Sequence, residues 1–344
     1  MKILKLGIIF LVLCVLACVT VSCARIDDLL PFDLPFDIGN GNAEEELVFI
    51  PLPQIPLGVH EFGDNEAEEF EIREPIIRTP SLGDEYITYG YVILNIGNIS
   101  SGYVKIKHGS EGVSALVQIY TLNCPTPDVF SIVADGEWDV FALTRGDGVY
   151  TIRVLELYND RMFDVVLAVQ VDVRIGDPHS PFLYPSRYVN FNADSEAVIF
   201  ASRVAAMAED DFHLVYLIYE AVVRNINFDE SLADAIYLGM VTEHVPNIDE
   251  TLFTRRGICF DFSALIAAML RSQGIPTRLE IGYVRGIFHA WVAVYVPGAD
   301  WRNAAHPSGD GWGLLDPTTT SANTAQGFLN PVVNVNDFNI LFVR

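Results

Sequence analysis

The chain has 344 residues, of which 51% are hydrophobic and 19% are charged, so its composition is that of a globular protein with room for two domains. The formal net charge of −24 argues against nucleic acid or an anionic membrane surface as a partner, because both are bound through basic patches. An acidic surface of this kind keeps a protein soluble.

The first residues predict an export signal that is not part of the fold. Lys2 and Lys5 precede an uncharged run, Leu6 to Val21. A basic region before an apolar core is typical of a secretory signal. The run is short for a membrane-spanning helix, and Asp27 and Asp28 follow it instead of a basic cluster. We therefore assign residues 1–22 to a signal peptide.

The end of this signal predicts a lipid anchor. Thr20-Val21-Ser22-Cys23 resembles the lipobox of bacterial lipoproteins, in which the cysteine is acylated and becomes the new N-terminus. Cys23 is thus the expected lipidation site, and Cys18 is a poorer candidate. Lipidation would place the protein on the outer side of the cytoplasmic membrane. Ordinary cleavage after Ala24 is the alternative and would give a soluble secreted protein.

Residues 23–46 predict a tether, because Pro, Gly and acidic residues occur there without a helical or strand period. Residues 47–185 predict an all-β, sandwich-like domain, since runs rich in Val, Ile, Tyr and Thr alternate there with turn-forming residues. Six strands are expected: Tyr86–Leu94, Tyr103–Lys107, Ser114–Tyr120, Trp138–Leu143, Val149–Leu155 and Val165–Val173.

The tripeptide Arg145-Gly146-Asp147 within this region is the short sequence that integrins bind. It stands between two predicted strands, where Asp147-Gly148 is typical of a hairpin turn. We therefore interpret it as a turn and not as an adhesion motif.

Residues 190–344 predict an α+β domain, because helical periods come first and strand patterns follow. Helices are expected at Ser195–Glu209, at Phe212–Asn225 and from Cys259 to Gln273, with a loop over Asn227–Thr251. Gly274 and Pro276 end the third helix. Strands are expected at Arg278–Arg285, His289–Val296 and Trp312–Leu315.

The five cysteines are unevenly distributed, and three of them lie in or at the signal. Cys124 and Cys259 remain, and either they pair with each other or at least one thiol is free for chemistry. The sequence contains no clustered Cys/His spacing, so we expect neither a metal site nor a cofactor.

Cys259 has the sequence position of a nucleophile. It follows Gly257 and opens a helical pattern, and the N–H groups and dipole of a helix N-terminus stabilise an anion. A buried structural cysteine would give the same pattern.

His289 opens a strand that is apolar on both faces and is the best placed base, while Asp316 ends the next strand and could orient the imidazole. The other histidines of this half are expected at the solvated surface: His213, His244 and His306.

Several segments around these residues resemble the bacterial transglutaminase-like superfamily in their residues, their order and their spacing. They are Arg256–Cys259 with Ala264-Leu265, Leu270–Arg278, Gly282-Tyr283, His289–Val292, Leu315–Thr318, and the preceding helix with Asn227–Asp229. The likeness covers about residues 195–320. It implies a papain-like fold with a catalytic triad, in which Cys259 is the nucleophile, His289 the base and Asp316 the orienter.

The expected reaction is acyl transfer from a peptide or amide bond through a thioester on Cys259. Resolution by water would make the protein a peptidase or amidase, and resolution by an amine would make it a cross-linking protein-glutamine transferase. Only Arg285–Phe288 precede His289 in the connecting loop, fewer residues than in many relatives, so we expect an open cleft and water as the acceptor. A catalytically idle binding or scaffold module is the alternative of a different class. The expected partners are a peptide or protein substrate and, through the lipid, a membrane.

Overall fold

The computed structural model of the protein describes residues 72–159, 162–301, 305–318 and 334–344. These residues belong to one compact unit and contain fourteen β-strands and five α-helices. The expected signal peptide, the tether and Cys23 lie outside the described residues.

Eight antiparallel strands occupy the N-terminal half of the described chain. They are β1 Tyr86–Tyr89, β2 Val92–Asn95, β3 Tyr103–His108, β4 Ser114–Thr121, β5 Cys124–Val133, β6 Trp138–Ala142, β7 Gly148–Asn159 and β8 Met162–Val173. They form two four-stranded sheets with the orders β1-β2-β3-β6 and β5-β4-β7-β8. Both sheets contribute buried side chains to one hydrophobic cluster, for example Ile106 and Phe141 from the first and Val117 and Ile152 from the second. Because a buried side chain of this size contributes about 1.5–3 kcal/mol, the shared cluster stabilises the pair of sheets.

Two strands of this half differ from the sequence expectation. The run Tyr86–Leu94 is a hairpin and not one strand, since Gly90 turns the chain with a φ of 58°. Strand β5 was not predicted, because Pro125 and Pro127 interrupt its pattern and prolines are disfavoured within sheets.

Arg145 lies in a turn as predicted, but the turn is not that of a hairpin, because β6 and β7 on either side of it belong to different sheets. The guanidinium donates to the carbonyls of Cys124 and Thr126 and to the carboxylate of Asp128. Asp147 accepts a hydrogen bond from the backbone N–H of Ile175. The side chains of an adhesion motif would have to reach a partner, whereas Arg145 is held by β5 and Asp147 is hydrogen-bonded to the segment after β8.

The C-terminal half contains the helices and the remaining strands. The helices are α1 Glu196–Ala206, α2 Asp211–Asn225, α3 Glu230–Tyr237, α4 Ile248–Thr254 and α5 Cys259–Ser272. The strands are β9 Asn227–Phe228, β10 Arg256–Gly257, β11 Thr277–Val284, β12 Ile287–Tyr295, β13 Trp312–Leu315 and β14 Phe338–Val343. Strands β9 and β10 pair in parallel, and the others form an antiparallel sheet with the order β13-β12-β11-β14.

Helix α5 lies at the centre of this half, and every residue from Asp261 to Ser272 is buried. Its interior is rich in Ala and Leu, which favour helix, and an apolar surface all round is typical of a helix enclosed by other elements. It contacts α1, α2, α4, β11 and β12. Gly274, with a φ of 82°, ends it as predicted.

The expected loop Asn227–Thr251 contains two helices, α3 and α4, so that expectation is wrong over these residues. Both helices have eight residues or fewer, too short for a helical period to be distinctive. The strand that carries His289 begins two residues earlier than predicted. The connection before it is the two-residue turn Arg285-Gly286, whose φ angles of 50° and 83° are those of a tight hairpin.

Buried arginines join the two halves. Arg271 of α5 is fully buried and donates to the backbone carbonyls of Tyr184, Thr277 and Arg344. Burial lowers the pKa of Arg271 to about 9. Arg344, just after β14, donates to the carboxylate of Asp128 on β5 at 2.6 Å. The sheet that carries His289 is therefore tied directly to the N-terminal sheets.

Candidate active site

Cys259 is the first residue of α5, and local contacts fix the backbone before it. Ile258 is extended and its N–H donates to a carboxylate oxygen of Asp261 at 2.8 Å. Gly257 permits this approach, because a Cβ at that position would lie 2.6 Å from the Cβ of Asp261. Cys259 is partly exposed, as a nucleophile must be.

His289 and Asp316 are brought together by neighbouring strands. Val292 of β12 pairs with Leu315 of β13, so Asp316 follows directly beside the strand that carries the histidine. Nε2 of His289 lies 2.9 and 3.1 Å from the two carboxylate oxygens of Asp316. The side chains of His289 and Asp316 are 11% and 3% exposed. Cys259 is also close enough to His289 to raise the pKa of the imidazole, so the structure brings together all three residues that the sequence proposed.

The charge state of His289 follows from these contacts. Burial lowers the pKa of His289, but the hydrogen bonds and charges of Asp316 and Cys259 outweigh burial and raise that pKa to about 10. An ordinary histidine has a pKa near 6.5. The imidazole is therefore held as an imidazolium at neutral pH, between a carboxylate and the thiol group.

Two residues that were not assigned roles from the sequence hold Asp316. Thr318 donates its backbone N–H to the carboxylate at 3.0 Å, and its hydroxyl lies 3.2 Å from both the carboxylate and Nε2 of His289. Tyr219 of α2 donates its hydroxyl to the backbone carbonyl of Asp316 at 2.9 Å. The Asp-Pro-Thr sequence is a signal for Thr318, because Asp side chains often accept from the backbone two residues on. Tyr219 is distant in sequence and leaves no such local signal.

His306 is buried, which contradicts its expected place at the solvated surface. Its Nε2 lies 2.9 and 3.0 Å from the carboxylate oxygens of Glu280, which is itself fully buried. The indole of Trp291 donates to the same carboxylate at 2.8 Å. The Trp291 ring lies 6.2 Å from the His289 ring, between centroids. This pair of buried groups therefore fixes the aromatic side chain next to the candidate base.

His244 also departs from the solvated position that was expected. Its Nε2 lies 2.6 Å from Asp261, the residue that accepts from Ile258. Its side chain is 24% exposed, and its ring lies 6.5 Å from that of Phe260. His244 thus contacts the first turn of the helix that carries Cys259.

Other kinds of site find little support among the described residues. Cys124 and Cys259 are both free thiols, so the pairing alternative is wrong. No group of three or more His, Cys, Asp or Glu side chains in the described ranges is arranged to hold a metal ion. None of the described helices has the length and apolar character needed to cross a membrane.

A family comparison agrees with this geometry. Residues 199–317 match the transglutaminase-like superfamily. The matched segment includes Cys259, His289 and Asp316. This part of the C-terminal half is therefore similar to transglutaminase-like domains.

Among curated proteins, the chain is similar to the uncharacterized protein YebA of Bacillus subtilis (strain 168), with 32% identity over 98 residues. The similar part is 23% of this chain and 12% of YebA, so the chain spans only a small fraction of that relative.

Two solved structures also resemble the chain. One, from Cytophaga hutchinsonii and named as a candidate cysteine protease, is 16% identical with a TM-score of 0.37, and the match covers 70% of this chain and 80% of that one. The other, from Parabacteroides distasonis ATCC 8503 and named as a candidate protease, is 13% identical with a TM-score of 0.28, over 68% and 42% of the two chains.

Proposed function

We propose that the transglutaminase-like domain is a papain-like thiol hydrolase that cleaves a peptide or amide bond through a thioester on Cys259. One observation carries the proposal: His289 is hydrogen-bonded to Asp316 and interacts with Cys259, which stands at the N-terminus of a buried helix. A nucleophile, a base and an orienting carboxylate in this order are the parts that covalent acyl transfer needs.

Acylation uses all three residues. The sulfur of Cys259 attacks the carbonyl carbon, and His289 holds the proton that the thiol loses. Negative charge develops on the carbonyl oxygen, where the first N–H groups of α5 can donate because they have no acceptor within the helix. His289 then gives its proton to the leaving amine as the C–N bond breaks. The product is an acyl thioester on Cys259.

Deacylation runs the same proton transfer in reverse. His289 takes a proton from water, the water oxygen attacks the thioester, and the C–S bond breaks. A carboxylic acid leaves, and the proton returns to the Cys259–His289 pair. Asp316 stays ionised throughout and stabilises the imidazolium in both halves of the reaction.

The proposal is tested first by alkylation, which needs no knowledge of the substrate. Iodoacetamide at neutral pH should modify Cys259 much faster than Cys124, although Cys124 is the more exposed of the two thiols. Peptide mapping by mass spectrometry would give both rates. Equal rates would favour the idle binding or scaffold module.

Turnover is then sought with a peptide library, scored for both cleavage and amine incorporation. Cys259→Ala should keep the fold, since Ala is favoured in helices, and should lose all turnover of any substrate found. Cys124→Ala is the matched control and should retain full activity. Residual turnover by the purified Cys259 variant would show that another group is the nucleophile.

We further propose that the mature protein is anchored to the outer side of the cytoplasmic membrane by a lipid on Cys23. The lipobox-like sequence before Cys23 and the Pro- and Asp-rich segment after it support this location. One acyl chain binds a membrane weakly, whereas several chains on one cysteine anchor it stably. Cys23→Ser should therefore move the protein out of the membrane fraction or block its maturation. Unchanged fractionation would favour the soluble secreted alternative.

A further inference from the structure

His244 contacts the nucleophile helix through a single buried carboxylate. It lies in the segment between α3 and α4, and its Nε2 is 2.6 Å from one carboxylate oxygen of Asp261. The other oxygen of Asp261 accepts the N–H of Ile258 at 2.8 Å. Asp261 therefore joins the His244 segment, the residue before Cys259 and the first turn of α5.

The burial of this pair makes its charge important. The side chain of Asp261 is 4% exposed, and a carboxylate this buried is tolerated as an anion only when it is paired. Asp261 stands two residues after Cys259, within the same helical turn. The negative charge of Asp261 stabilises the N-terminus of the helix but repels a thiolate on Cys259. Such repulsion is strong where water is partly excluded. An imidazolium at His244 would offset it.

The other charged side chains described near His244 are paired with partners other than His244 and Asp261. From α5, His244 faces Asp261 and the uncharged ring of Phe260. Its neighbour Glu243 lies 3.8 Å from Arg187, which also lies 3.4 Å from Asp139. On β10, Arg256 lies 3.6 Å from Asp229. Each of these charges has an opposite partner, so Asp261 is the charge that His244 balances.

We propose that His244 is a positioning residue for the thiol chemistry, which acts through Asp261 on Cys259. It holds the carboxylate that orders the backbone at Ile258, and in its charged form it cancels a negative charge that opposes the thiolate. The proposal rests on the assignment of Cys259 as the nucleophile.

The test measures the rate of Cys259 alkylation by iodoacetamide across about pH 5.5–9, with thermal melting of each variant alongside. His244→Gln can still donate a hydrogen bond but cannot be charged, and Asp261→Asn keeps an oxygen for the Ile258 N–H without the negative charge. The double variant completes a thermodynamic cycle. His213→Gln is the control, because His213 lies at the start of α2 and bonds only locally, to Glu209.

We expect His244→Gln to slow alkylation roughly 3- to 10-fold at the acidic end of this pH range, where a histidine side chain can be charged and a glutamine cannot, and by less at the alkaline end. In the Asp261→Asn background the same substitution should change the rate less than about twofold. The control should follow the wild type at every pH.

Three results would overturn the inference. The His244→Gln profile could coincide with that of the wild type, or its loss could be as large in the Asp261→Asn background. A loss of equal size at all pH values, with a lower melting temperature, would show a purely structural role. If the proposed function itself is wrong, the result is distinguishable, because Cys259 of the wild type would then react no faster than Cys124.

Discussion

The residues of the candidate site differ in what their loss would remove. In the proposed reaction His289 moves protons itself, whereas Asp316 acts on the reaction through His289. Thr318 contacts both, but only through its backbone N–H and its hydroxyl. Removal of these side chains should therefore have graded effects.

We predict that His289→Ala lowers kcat/KM the most, and that Asp316→Asn lowers it by on the order of 10²–10⁴-fold while leaving measurable activity. Thr318→Val keeps the backbone contact and should cost less than about tenfold. Steady-state kinetics on a substrate from the library would rank the three. A His289 variant as active as the wild type would refute the triad.

The raised pKa of His289 predicts a pH-dependent contribution to stability. Because folding raises this pKa from about 6.5 to about 10, the folded protein binds the proton more tightly than the unfolded chain does. The contribution is complete below pH ~6.5 and is lost as the pH rises towards about 10. The gap in melting temperature between the wild type and His289→Gln should therefore be widest near pH 6 and close above pH ~10. A gap that widens with pH would contradict the assigned charge.

At this scale the sequence can single out a residue where its type has a distinctive neighbourhood. Cys259 at a helix start and Asp316 at a strand end could be chosen because each has a local signature. The partly buried position of His244 and the buried position of His306 could not be predicted, since their carboxylate partners are 17 and 26 residues away. Polar residues in a loop look solvated until such a distant partner is known.

Among the elements, the hairpin before His289 has the clearest effect on chemistry. The turn Arg285-Gly286 is even shorter than the four residues expected, and the side chains of Ile287 and Phe288 after it are exposed. A connection this short contributes little chain to enclose the cleft. An acyl enzyme that is open to solvent meets water at far higher concentration than any amine.

We therefore predict that water resolves the thioester. With millimolar labelled primary amine present, hydrolysis should exceed amine incorporation for any substrate found. Liquid chromatography with mass spectrometry would quantify both products from one reaction, and the Cys259→Ala protein provides the blank. Predominant incorporation would instead identify a cross-linking transferase.

The elements themselves could be predicted where a hydrophobic period ran long enough. Helices α2 and α5 and strand β13 were predicted to within a residue or so, because burial of one face or of all faces dictates their patterns. Helices α3 and α4 were missed because they are short. Strand β14 was missed because it pairs with β11, whose sequence is far away, and pairing of that kind has no local pattern.

Across the whole molecule, Asp128 is the group on which the two halves depend. It accepts hydrogen bonds from Arg145 within the N-terminal half and from Arg344 beside the sheet that carries His289. Arg344 is almost completely buried, and its guanidinium also lies 4.1 Å from the centre of the Phe130 ring. Loss of the carboxylate would leave a buried cation without its counter-ion.

We predict that Asp128→Ala lowers the free energy of unfolding by about 3–5 kcal/mol, the usual cost of breaking a buried ion pair. Asp172→Asn, whose side chain is well exposed, should cost less than about 0.5 kcal/mol. Urea unfolding followed by circular dichroism would measure both. Similar values for the two variants would mean that the halves are held together elsewhere.

Strand β14 has a protective role that follows from its place in the sheet. It pairs with β11 along Glu280–Val284, so the backbone groups on that side of β11 are satisfied within the chain. Without β14, β11 would become an edge strand with a row of unpaired N–H and C=O groups, and Phe338 and Phe342 would no longer cover the sheet. Such an edge accepts a strand from another molecule. Because β14 is now the edge of this sheet, cleavage or release of residues 334–344 would move the edge to β11, two strands away from β13, and would open β11 to chain-to-chain association.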